Sequence, residues 1–354
     1  MTQDAVQTRL NEDKTLPVNI WAERGIPAIA PSVQQRLRQI RGSLIQGFQA
    51  AIADDDLDAI VPKLNGIEDE LRGFAFEGVG MGLTQRDLVS PSEQNRVEAF
   101  VAGPGAAYQH FVYVGVGLML GKAPLPVEPY ISQLISVSDR DSYKTTPTSI
   151  ATTPQSVMGG VIDPNEKRHN LAKVWLVIDG YGFQHGLSHW RKYLDGLAMP
   201  EHLSGYACRV FDQGMGRSIW FVDGADVTRI PQTIGAFPPT RQADLWGGIG
   251  FVCTYSGGVE RATLEALKTA AGPYQFQLAQ GAAFAAKSRQ RIGSYSAHTE
   301  LACEVLWGMG AAAVAENTDE ALRSVQTNGA TPDYEVWQHY RSHLVMPNRI
   351  SLPA

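Results

Sequence analysis

The sequence predicts an all-α protein made of stacked two-helix repeats of about 34 residues, either a tetratricopeptide-like solenoid or an α/α array. Three observations carry this expectation. An acidic-Gly-x-Gly pattern recurs at a regular interval. It is clearest at Asp179-Gly180-Tyr181-Gly182-Phe183, with Gly214 and Gly216 34 residues on, Gly248 and Gly250 another 34, and Gly281 33 after Gly248. Glu77-Gly78-Val79-Gly80 comes 102 residues before the clearest copy, three periods of 34. The residues around each copy are apolar at three-to-four spacing, the period of a buried helix face. The segments between copies end in stop signals such as Gly257-Gly258 and Gly272-Pro273.

Taken in order, residues 1–31 read as an irregular lead-in punctuated by Pro17, Pro27 and Pro31, with Ile20 and Trp21 as anchors to the body. The helical-repeat domain spans 32–345. It opens with a helix capped by Ser32, in which Val33, Leu37, Ile40, Leu44 and Phe48 share a face. A first Gly-x-Gly helix follows over 64–83, then one over 91–100 capped by Ser90. The segment 106–121 is apolar almost all round, which predicts a buried helix, with a strand as the competitor for 111–116. A Pro/Ser/Thr-rich insertion near 122–160 separates this part from the regular repeats, with an exposed loop over 144–154. Helices are then expected over 174–194, 202–221, 226–237 (closed by Pro238-Pro239), 243–255, 262–271, 274–291, 299–315, 317–330 and 332–344, with a tail at 346–354.

Composition excludes several classes. The net charge is -6 without a dense basic run, so nucleic acid is not an expected partner. No uninterrupted apolar run reaches membrane-spanning length, and the polar, acidic start does not resemble a signal peptide. Cys208, Cys253 and Cys303 are widely spaced and form no C-x-x-C pair, which argues for buried free thiols in a reducing cytoplasm.

Chemistry is expected first at Glu77, Asp179 and Asp212, each beside a glycine pair and preceded by apolar residues. A carboxylate in an apolar helix must be paired or hydrogen-bonded. Stacked repeats are expected to place these acids on one inner face, where burial raises their pKa values and suits them to protonating an alkene. The competing expectation is a structural ion pair, with Arg217 and Arg209 as partners. Glycines at i and i+2 on a helix remove bulk and let neighbouring helices approach. A phosphate-cradling role needs a preceding strand, which the pattern lacks. His185 and His189 share a helix face, as do His339 and His343, but neither pair brings the further ligands that a metal site needs, so no metal is assigned. Tyr181, Phe183, Trp190, Trp220, Trp246 and Tyr255 are either core filling or the walls of a tunnel for a long hydrocarbon. Asp54, Asp55 and Asp58 match a D-D-x-x-D magnesium–diphosphate pattern, against the plainer expectation of a solvated helix start.

Several segments resemble the UnbL-type enediyne biosynthesis proteins. They include Phe74-Ala75-Phe76-Glu77-Gly78, Asp179-Gly180-Tyr181-Gly182-Phe183, Phe211-Asp212-Gln213-Gly214-Met215-Gly216-Arg217-Ser218, Tyr255-Ser256-Gly257-Gly258 and His298-Thr299-Glu300-Leu301-Ala302-Cys303, across about residues 20–340. The resemblance implies a component of a bacterial natural-product pathway. It would bind a long hydrophobic polyene intermediate, and cyclise or rearrange it, together with an UnbV-type partner protein. A non-catalytic scaffold and an isoprenoid cyclase-like enzyme are the alternatives. The resemblance carries no catalytic residue and names no cofactor. The related sequences often read acidic-Gly-Tyr-Gly-Phe-His, whereas here Gln184 follows Phe183 and the imidazole comes one step later, at His185, which joins the three acids as a candidate catalytic residue.

Overall fold

A computed structural model describes residues 20–26, 29–53, 55–90, 95–123, 125–134 and 164–324. Among these residues the chain is all-α, with no strand. The main helices are α1 (Pro31–Ile52), α2 (Asp69–Val89), α3 (Arg96–Ala102), α4 (Gln109–Lys122), α5 (Glu128–Leu134), α6 (Pro164–Ser188), α7 (Tyr206–Val222), α8 (Arg229–Gly235), α9 (Pro239–Ser256), α10 (Arg261–Ala270), α11 (Gln275–Arg291), α12 (Ala297–Trp307) and α13 (Ala311–Ser324), with short helices at Ile20–Glu23, inside the lead-in expected to be irregular, and Ile60–Leu64. The segment 111–116, for which a strand competed, lies inside α4 and is buried throughout.

The long helices α1, α2, α4, α6, α7, α9 and α11 pack one upon the next in chain order. Paired glycines explain how. Residues i and i+2 of a helix point about 200° apart, to opposite sides. In α6, Gly180 rests on the carbonyl oxygen of Val114 in the preceding long helix, and Gly182 on that of Phe211 in the next. In α7, Gly214 meets the Asp179 carbonyl behind it and Gly216 the Leu245 carbonyl ahead. The same reciprocal contact recurs at Gly78 and Gly80 in α2, Gly115 and Gly117 in α4, and Gly248 and Gly250 in α9. A methyl group at any of these ten positions would lie 1.8–2.2 Å from a neighbouring carbonyl oxygen. Each pair is therefore a two-sided contact that brings backbone onto backbone. The pair in α4 does not group with the others by spacing, because its distance of 65 residues from Gly180 breaks the 34-residue rhythm.

Several boundaries differ from expectation. The α2 helix begins at Asp69 rather than 64, since Asp69 and Glu70 favour the positive end of a helix and a separate short helix, Ile60–Leu64, precedes it. Pro239 does not close the helix before it but opens α9 as its first residue, where its missing N–H costs nothing. The segment 299–315 is two helices, broken at Gly308, whose φ of 73° suits a left-handed cap. The insertion near 122–160 contains α5. Its residues 124 and 135–160, which include the loop expected over 144–154, Asp54, the helix expected over 332–344 with His339 and His343, and the tail lie outside the described residues.

The late helices return to the early ones. Arg289 of α11 is fully buried and donates to the carbonyls of Glu70 (2.9 Å) and Tyr255 (2.6 Å), joining α11 to α2 and α9. Arg36 of α1 bonds Glu70 (2.8 Å) and the Ser256 carbonyl. The lead-in is anchored as expected: Ile20 is buried, Trp21 Nε1 donates to the Phe221 carbonyl (2.9 Å), and Arg24 pairs with Asp223 (2.9 Å). No helix of the described residues is long and apolar enough to cross a membrane. Cys253 and Cys303 are buried free thiols, while Cys208 is half-buried.

Candidate functional site

The glycine pairs also set which side chains face inward. With the two glycines committed to the neighbours on either side, the residue before the first glycine and the residue three after it fall on a third face. In α2, α4, α6 and α7 the former positions hold Glu77, Val114, Asp179 and Gln213, whereas α9 has Gly247 there; the latter hold Met81, Leu118, Phe183, Arg217 and Phe251, and Phe284 takes the corresponding place after the lone Gly281 of α11. All of these but Gly247 line one or both of two cavities between the helices. The larger, of about 220 Å³, is walled mainly by α4, α6, α7, α9 and α11. The smaller, of about 70 Å³, lies among α1, α2, α4, α6 and α7. Glu77 lines both.

Three ionisable groups meet at this point. Arg217 Nη2 donates to Glu77 Oε1 at 2.9 Å, and Arg217 Nη1 donates to Asp179 Oδ1. The guanidinium also lies over Phe183 (5.0 Å) and Phe251 (5.1 Å), so aromatic faces add to its stabilisation. All three groups are buried, with exposures of 3%, 6% and 5% for Glu77, Asp179 and Arg217. One guanidinium neutralises one carboxylate, so the trio is one positive charge short. Burial pushes the Glu77 carboxyl up to about 7 against the pull of Arg217. Burial likewise raises Asp179, again opposed by Arg217. Burial works against a charged Arg217, but the two carboxylates outweigh it and hold the guanidinium protonated. Near neutral pH the pair therefore carries an exchangeable proton inside a largely apolar chamber.

Asp212 is not at this centre. It sits one position earlier relative to its glycine pair than Glu77 and Asp179 do, about 100° around the helix. There it pairs with Arg241 at 2.6 and 2.9 Å, and Arg241 also donates to the Leu197 carbonyl. Burial raises Asp212 to about 6, opposed by Arg241. Arg209, expected beside it, pairs instead with Asp244. His185 faces away from both cavities and packs against Tyr181, Tyr193 and Phe211. Its ring nitrogens have no hydrogen-bond partner among the described residues, and burial lowers it to about 3. Gln184, one step earlier, does reach the smaller cavity. Of the aromatic candidates, Phe183 lines the smaller cavity. Tyr255 stands one layer behind the larger cavity, its ring 5.6 Å from both Phe111 and Phe251. Tyr181 meets His185 edge to face, Trp190 lies beneath Arg24 and Arg191, and Trp220 and Trp246 are core.

Asp55 and Asp58 are exposed, and Asp55 is held by Arg86, so these two do not form an enclosed diphosphate site. The His185 and His189 rings lie 5.5 Å apart. Among the described residues no group of three or more His, Cys, Asp or Glu side chains is placed to hold a metal ion. His110, Trp175, Gln213, Phe284 and Arg291 also line the larger cavity, although sequence reasoning did not single them out. Gln213 is accessible by counting from the first glycine of its pair, and Phe284 from Gly281. His110 and Arg291 are not, because nothing in their local pattern marks them.

An all-helical protein whose inward faces enclose a buried carboxylate–guanidinium centre is the class that this geometry defines. The chain belongs to the family described as protein of unknown function (DUF1702), whose model matches residues 16–343. No curated protein and no solved structure matches it.

Proposed function

We propose that this protein takes an elongated apolar molecule into its interior and acts on it by proton transfer from the Glu77–Asp179 pair. The observation carrying the reading is the convergence of Glu77, Asp179 and Arg217 on a cavity walled by Phe111, Trp175, Phe251 and Phe284. A protonated carboxyl donates its proton to one carbon of a double bond, leaving a carboxylate beside Arg217 and a cation on the substrate. The aromatic faces and the carboxylates stabilise that cation. Loss of a proton from another carbon to the same carboxylate returns the enzyme to its starting state, so the step is an isomerisation or cyclisation without net redox change. The resemblance to enediyne-type proteins supplies a linear polyene as the substrate class, a bacterial natural-product pathway as the setting, and an UnbV-type protein as the partner. In this reading the helices form an α/α array of repeated units whose closed side encloses the chamber.

The competing reading is a scaffold in which Arg217 merely ties α2, α6 and α7 together, and the double ion pair favours it as much as it favours catalysis. One experiment separates them. The full chain, alone and with the UnbV-type partner, is incubated with a linear conjugated polyene in deuterated water, followed by absorbance and by deuterium content. Glu77→Gln and Asp179→Asn are expected to stay folded and lose deuterium incorporation, whereas Asp212→Asn, at the peripheral Arg241 pair, retains it. Unchanged polyene with wild-type protein in both arms removes the enzyme reading.

A further inference from the structure

The larger cavity has two chemically different ends. The acid pair and Arg217 belong to the middle of their helices. His110 lies in the first turn of α4, and Arg291 is the last residue of α11; Lys287 and Ser288 sit one turn before it. Gly180 resting on the Val114 carbonyl puts Asp179 level with Val114. His110 is four residues earlier on the same helix, about 6 Å along its axis.

His110 is only 8% exposed and lines the cavity, yet its Nε2 has no hydrogen-bond partner among the described residues. A buried polar atom without a partner is costly, and a ligand atom relieves that cost. The nearby positive charge of Arg291 joins burial in keeping this imidazole neutral, at about 3. A neutral imidazole remains free to donate to an incoming oxygen. The Lys287 ammonium is already held by Asp319 at 2.5 Å. Arg291 makes no ion pair among the described residues, so this end offers one uncommitted positive charge to a ligand.

We infer that this end of the cavity is a site for a single carboxylate, held by Arg291, His110 and Ser288, and that the molecule bound is an apolar chain ending in that group. The inference rests on the interior-binding reading above and adds the head group and the direction of entry. The carboxylate stays at the exposed end because Arg217, the cation at the other, is already engaged by Glu77 and Asp179. The chain then runs inward between Phe111, Val114, Trp175, Leu176, Phe251 and Phe284 and brings carbons a few bonds from the head to the acid pair.

Calorimetric titration of the full chain with decanoate and with 1-decanol tests this. Decanoate is expected to bind more tightly than the alcohol. Arg291→Gln, at an exposed position that does not threaten folding, is expected to weaken decanoate about fivefold and leave the alcohol unchanged. His110→Phe is expected to act in the same direction, and Leu176→Trp, which fills the chamber, to abolish both. Equal affinities for acid and alcohol, or decanoate binding indifferent to Arg291→Gln, overturn the carboxylate site while leaving the interior-binding reading intact. Failure of both compounds to bind, or binding that survives Leu176→Trp, overturns both.

Discussion

Arg217 is the residue on which the interior depends. Its removal leaves two buried carboxylates facing each other without a counter-charge. Arg217→Met is expected to cost about 3–5 kcal/mol, the usual result of breaking a buried pair by deleting one partner. Denaturant titration at neutral pH checks this, and the loss should shrink at acid pH, where both carboxyls are protonated. Glu77 makes a complementary prediction. Its folded pKa of about 7 lies above the ordinary glutamate value of 4.5, so folding favours its protonated form. Its contribution is fully present below about pH 4.5 and is lost as pH rises through about 7. Glu77→Gln mimics the protonated form at every pH. The melting temperature of the variant, relative to wild type, should therefore climb between pH 4.5 and 7, by the equivalent of about 2–3 kcal/mol. A flat difference across that window would show that Glu77 stays ionised throughout.

At the scale of the helices, the closest approaches between the long helices rest on glycine. Each glycine in a helix interior costs about 1 kcal/mol relative to alanine. That cost recurs because the contacts leave no room for a methyl group. Gly214→Ala places a carbon 1.9 Å from the Asp179 carbonyl oxygen, and α6 and α7 must separate. Destabilisation of about 3 kcal/mol is expected, at the upper end of overpacking costs. Gly42, inside α1, is the control, because nothing lies within 4 Å of a methyl group built there. Gly42→Ala should stabilise the protein by about 0.5–1 kcal/mol through helix propensity alone. Equal effects at the two positions, read by denaturant midpoints, would refute the two-sided packing role. The pattern is legible in the sequence for α2, α6, α7 and α9, where an acid, a period of 34 or both mark the copy. It is not legible in α4, where Val114 stands in the place of the acid and the spacing is irregular.

For the whole molecule, Arg289 of α11 links the late helices back to α2 and α9. Arg289 is central to that return, with its guanidinium 3.9 Å from the Tyr255 ring and its donors on two backbone carbonyls. Arg289→Met removes both bonds, including the buried one to the Tyr255 carbonyl near the end of α9, together with the stacking on the Tyr255 ring, and a loss of about 3 kcal/mol is expected. Hydrogen exchange should show it as reduced protection at the facing parts of α2, α9 and α11, with the α6–α7 contact unaffected. Uniform loss across all helices would mean that the structure has no separable closure.

The sequence by itself determined the helical class, the glycine contacts and the set of acids that had to find partners, because these follow from local period and from the cost of burying charge. It also pointed to Arg217 as a partner for those acids. What only the tertiary structure decided is which acids meet. Glu77 and Arg217 are 140 residues apart and share a bond, whereas Asp212, adjacent to the same motif, is turned away by a single helical step. The phase of an acid relative to its glycine pair is written in the sequence. Its meaning appears only once the helices place the two glycines against different neighbours, leaving one face of each for the interior.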